Sequence, residues 1–125
     1  MDNSVPEKIF DIRLRSLKFA VLIIKLSFLL PRNAAGYAIA SQIVRSGTSI
    51  GANIHEAQDS SSKKEFTHSM TISLKEARET EYWLFVIQEA DLINNSMLTE
   101  ALREIKELIK ILTTIVKKSK IGIKR

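Results

Sequence analysis

The chain has 125 residues, enough for one domain that buries roughly two-thirds of its unfolded surface. Hydrophobic residues make up 45%, with only four glycines and two prolines, a balance that favours long helices over many short strands. There is no cysteine, which excludes disulfides and thiolate chemistry. The nineteen basic residues outnumber the fourteen acidic ones by five, and the last nine residues hold five of the bases and no acid. Residues 1–116 are therefore neutral, and the excess charge is concentrated in one segment.

The opening MDNSVPEKIF is polar and acidic, where a signal peptide would be basic and then apolar. The longest apolar run, Phe19 to Leu30, contains Lys25 and falls short of the about 20 residues that a membrane span needs. A soluble, cytoplasmic chain with no membrane partner is expected.

Pro6 sits where a first helical turn would begin, and Pro31 closes that segment. Between them Phe10, Leu14, Leu17, Val21, Ile24 and Phe28 recur at spacings of three and four. A second stripe, Ile12, Phe19, Ile23, Leu26 and Leu30, lies about opposite on the helical wheel. Two apolar faces need two partners: the first stripe is assigned to the chain's own bundle, the second to another copy.

A second helix is expected from Ala34 to Gln58. It places Ile39, Ile43, Gly47, Ile50, Ile54 and Ala57 on one side, the last four within the stretch RSGTSIGANIHEAQ. Each of the two central glycines costs about 1 kcal/mol against alanine in a helix interior, a cost that makes sense where another helix comes close. On the other side Gln42, Arg45, Ser49, Asn53 and Glu56 fall within about 80° of arc. By base rate that polar face is a solvated surface; the sharper alternative is a polar network at a subunit contact or a ligand groove.

The third helix is announced by Ser62-Lys-Lys-Glu65, the pattern of a capping box. Phe66, Met70, Ser73, Ala77, Leu84 and Ile87 form its core stripe. Ile72, Trp83 and Val86 lie off it, and Trp83 is assigned to a subunit interface, where tryptophan is enriched. The first helix is mainly basic and the third mainly acidic, so the two could also pair between copies, with Glu76 and Glu79 taking part. Asn94, Asn95 and Ser96 make the turn into a fourth helix. Its Leu98, Leu102, Ile105, Ile109, Leu112 and Val116 alternate spacings of four and three, a seam suited to left-handed bundle packing. The predicted architecture is all-α: a single-domain, antiparallel up-down-up-down four-helix bundle over 1–116, followed by a basic tail over 117–125.

Arg45, Ser46, Ser49, Ile50, Asn53, Ile54 and Glu56, then Ser62, Lys64, Glu65 and Phe66, then Glu76, Ala77 and Glu79 make a spread-out pattern. In it the chain resembles the bacterial four-helix-bundle proteins of ribosomal RNA intervening sequences, a family that includes the accessory variability proteins of diversity-generating retroelements. The resemblance implies a four-helix bundle, often assembled as a ring-like homopentamer, with no enzymatic activity known. Its retroelement members are strongly basic and similar to nucleic-acid-binding partners of a reverse transcriptase. Here the body is neutral, Ala57 follows Glu56 where many relatives have glycine, and Gln58-Asp-Ser-Ser-Ser62 replaces an arginine-rich turn.

One Glu-x-x-His match, Glu65 to His68, lacks the second copy that a bundle di-metal site needs, so no metal is expected. GTSIGAN lacks the lysine and the strand of a phosphate loop. The chain is read as non-enzymatic and without cofactor. Lys117, Lys118, Lys120, Lys124 and Arg125 are the candidates for binding RNA or DNA through phosphate, without base stacking because no aromatic residue interrupts them. The competing reading is a structural or adaptor protein whose partner is another protein.

Overall fold

The computed structural model describes residues 7–124, and side chains from Ile12 to Gly122. Pro6 and Arg125, and the side chains of Phe10 and Lys124, lie outside the described residues. Four helices follow one another: α1 (Glu7–Ser27), α2 (Ala34–Gln58), α3 (Lys63–Glu89) and α4 (Ser96–Lys124). Contacts run α1–α2, α2–α3, α3–α4 and α1–α4, with none across the diagonals among the described residues, so the bundle is antiparallel and up-down-up-down.

The helix ends are set by short-range chemistry. Asn33 accepts the Gly36 amide at 2.9 Å to start α2, and Ser62 accepts the Glu65 amide at 3.1 Å to start α3. The capping box is shifted, because the Glu65 carboxylate reaches back to the amide and hydroxyl of Ser61, at 2.9 and 2.8 Å, not to Ser62. Those two bonds, the hydroxyl first, hold the Glu65 carboxyl below its ordinary range. At the far end of α3, Asp91 takes φ 54°. The Leu92 amide donates to the Ile87 carbonyl and the Asp91 amide to that of Gln88. This is the paired-bond helix stop that usually uses glycine; Asp91 can fill it because a short polar side chain tolerates the left-handed region. Asn95 then caps α4 by accepting the amides of Met97 and Leu98.

One core runs the length of the bundle, with Ile43, Ile50, Ile54, Met70, Leu84, Ile87, Ile105, Leu108 and Leu112 fully buried. On α1 the two stripes are exchanged relative to expectation. Ile12, Phe19, Ile23, Leu26 and Leu30 are buried in the chain's own core and are not available to another copy. Leu14, Leu17, Val21, Ile24 and Phe28 face outward, between 38% and 76% exposed. The reason lies on α2. A Cβ on Gly47 would stand 2.9 Å from Ile23 Cγ2, and one on Gly51 would stand 3.1 Å from Ser16 Oγ. The glycine surface therefore receives Ile23 and the small, fully buried Ser16, both on the Ile12 side of α1.

The lysine-rich segment also departs from expectation. It is no separate tail but the last two turns of α4, which continue to Lys124. Ser119 is buried there and hydrogen-bonds the Thr67 hydroxyl of α3.

Candidate functional site: the α2–α3 seam and the cationic side of α4

The residues of the spread-out sequence pattern meet across α2 and α3. Arg45 donates to Glu76 at 3.2 Å and also pairs with Glu79. Glu79 in turn accepts the indole N–H of Trp83 at 3.2 Å. One position along each helix, and buried, the Thr80 hydroxyl donates to Ser46 Oγ at 2.9 Å, and further along the seam the Ser73 hydroxyl donates to the Ile50 carbonyl at 2.8 Å. Ala77 is fully buried between them. The pattern is thus a lock that sets the register of two helices. Satisfied hydroxyls in a seam of small residues allow the backbones to lie close without leaving buried polar groups unpaired.

The polar face expected on α2 does not act as a unit. Ser49 donates to the Arg45 carbonyl at 2.6 Å, and the Asn53 amide donates to the Ser49 carbonyl at 2.8 Å, so both satisfy their own helix. Glu56 lies three turns from Arg45 in a shallow cleft at the α2–α3 turn, beside Asp59, Lys64, Glu65 and His68. Among the described residues no group of three or more histidines and carboxylates has a geometry that could hold a metal. Within the chain, Glu76 and Glu79 both pair with Arg45. Trp83 is half-buried against the core and edge-on to Tyr82, ring centroids 5.1 Å apart. Ile72 and Val86 are half-buried and lie on α3, diagonal to α1, so they do not continue the open apolar face of α1.

Lys117, Lys118 and Lys120 are all exposed. The structure adds Lys63, whose ammonium and side-chain carbons lie against Gly122. Nothing along the sequence ties this lysine to the others, because it sits 54 positions before Lys117 in the chain. Between described residues, none of these four lysines forms an ion pair. Higher on α4, Arg103, Lys106 and Lys110 line a groove against Phe85 and Gln88 of α3. Arg15 pairs with Glu104 at 2.6 Å across the α1–α4 seam. Among the described residues no helix is long and apolar enough to cross a membrane.

The fold and its α2–α3 lock define a small, single-domain helical bundle whose most distinctive residues hold helices together. The chain belongs to the 23S rRNA-intervening sequence protein family, whose model matches residues 8–114. It is similar to a solved protein of unknown function from the S23 ribosomal protein family of Bacteroides thetaiotaomicron VPI-5482. That protein is 38% identical, with a TM-score of 0.81 over 88% of this chain and 98% of the other. A comparison with curated proteins found no match.

Proposed function

We propose that the protein is a non-catalytic, homo-oligomeric accessory protein of the cytoplasm that binds nucleic acid through its phosphate backbone, at the lysine-bearing end of α4. The observation that carries this reading is the gathering of Lys63, Lys117, Lys118 and Lys120 at one end of the bundle, with no acid paired to them among the described residues. When surface lysines neutralise phosphates, the cations condensed on the nucleic acid are released to solution, and that release favours binding. The absence of catalysis in this reading is supported by the use made of the strongest polar cluster, which is spent on fastening α2 to α3. Self-association is supported by the open stripe on α1, since large apolar side chains at consecutive helical turns mark a contact face. Several copies in one assembly would multiply a weak end-on contact into an avid one.

Truncation after Val116 would also remove the buried Ser119, so the cleaner test neutralises charge in place. Fluorescence anisotropy of a labelled RNA strand and a DNA duplex should be followed over a series of salt concentrations with Lys117, Lys118 and Lys120 each changed to Gln. The expected outcome is weaker binding of both, with the salt slope reduced by roughly two to three. Absence of binding by the unaltered protein at low salt would retire the reading and favour a protein partner for the bundle.

A further inference from the structure

The charge on α4 is not confined to its end. Counting 100° per residue, Arg103, Lys106, Lys110 and Lys117 fall within about 60° of arc, a row that runs for about 21 Å along the helix. Arg103, Lys106 and Lys117 have no acid partner among the described residues. Lys110 has only Glu107 at 3.7 Å, an i,i+3 contact between two well-exposed side chains, the kind that contributes little. The upper part of the row borders the groove between α3 and α4, where Phe85 is 41% exposed and Leu102 is half-buried. A cationic row beside an exposed aromatic ring is the pairing that single-stranded nucleic acid uses: phosphates follow the charges and a base stacks on the ring. In a duplex the bases are already stacked on one another and have no face to offer.

We infer that the α3–α4 groove is a binding track for single-stranded nucleic acid, with Arg103, Lys106, Lys110 and Lys117 along its backbone and Phe85 as the platform for one base. The inference rests on the nucleic-acid reading above and narrows it to single strands, through a chemistry that the lysine end lacks, namely base stacking. Gln88 at the groove edge supplies an amide that can donate to or accept from any base edge, so the track is tolerant of sequence.

The test uses the full chain, a short single-stranded RNA of mixed sequence and the matching duplex, again by anisotropy over a salt series. Phe85→Leu keeps an apolar side chain at a site already open to solvent and removes only the ring face. It is expected to weaken binding of the single strand by roughly five- to 150-fold, leaving the duplex affinity and both salt slopes unchanged. Arg103→Gln with Lys106→Gln is expected to lower the single-strand slope by about 1.4. If both variants bind as the unaltered protein does while the Lys117, Lys118 and Lys120 substitutions still abolish binding, the track is wrong and the lysine end stands. If the unaltered protein binds neither probe at low salt, the broader reading fails and the track with it. A Phe85→Leu loss of equal size on single strand and duplex would overturn the stacking role. Circular dichroism of each variant separates loss of fold from loss of binding.

Discussion

The residue that best shows how this chain chooses its packing is Gly47. Its missing side chain lets Ile23 of α1 sit where a Cβ would be 2.9 Å from Cγ2 and 3.3 Å from Cβ of that isoleucine. Ile23 is β-branched and helical, so it has little rotameric freedom to retreat. Gly51 faces Ser16, whose nearest atom is a hydroxyl oxygen at 3.1 Å, already turned toward the Arg13 carbonyl. Gly47→Ala should therefore lose stability despite a helix-propensity gain of about 1 kcal/mol, since forced repacking costs about 1–3 kcal/mol. Gly51→Ala should stay within about 1 kcal/mol of the parent, because a hydroxyl yields more readily than a branched carbon. Urea unfolding midpoints would check the order, and a larger loss at Gly51 than at Gly47 would refute it. The two glycines were legible in the sequence as a close-approach surface; Ser16, which receives one of them, was not, because a lone serine in an apolar stripe looks like a flaw in the pattern.

At the scale of elements, the four helices follow from their caps and their periods, and α2 runs from Ala34 to Gln58 as its pattern predicts. The lock between α2 and α3 adds a preference for one register. Arg45 is half-exposed and its two carboxylate partners are partly screened, so its direct contribution to stability is modest, about 0.2–1 kcal/mol. A double-mutant cycle with Arg45→Ala and Glu79→Gln should return a coupling energy in that range, falling as salt is raised. A coupling above about 2 kcal/mol would mean that the pair is desolvated far more than its exposure implies. The buried hydroxyl bonds of Ser73 and Thr80 lie deeper in the same seam, where leaving one partner unsatisfied costs about 1–3 kcal/mol. In the sequence Arg45 groups with Glu56 because the two share a helix face. Tertiary structure regroups Arg45 with Glu76 and Glu79 because side chains of adjacent helices come nearer than residues three turns apart on one helix.

For the whole molecule the decisive surface is the outer face of α1. Leu14, Leu17, Val21, Ile24 and Phe28 lie within about 80° of arc, are all at least 38% exposed, and touch no other helix in a way that would cover them. Leu17→Glu with Val21→Glu should leave helicity and unfolding midpoint close to the parent while lowering the mass measured by sedimentation or light scattering to that of one chain. An unchanged mass would remove α1 from the assembly surface. The control is Ile23→Ala on the opposite side of the same helix, which should cost about 2–5 kcal/mol by opening a cavity in the core.

By itself the sequence determined that this protein is all-α, that its helices are four, where most of them start and stop, and which faces of α2, α3 and α4 are apolar, because capping and 3.6-residue periodicity are local properties of a chain. It determined as well that α1 has two apolar faces. Which of the two enters the core was decided only in three dimensions: both repeat at spacings of four and three, and the choice falls to the stripe that carries Ser16 and Ile23 into the glycine surface of α2. The same holds for the charges. Lys63 joins the end of α4, and Phe85 joins Arg103, Lys106 and Lys110, through distances between helices that no spacing along the chain encodes.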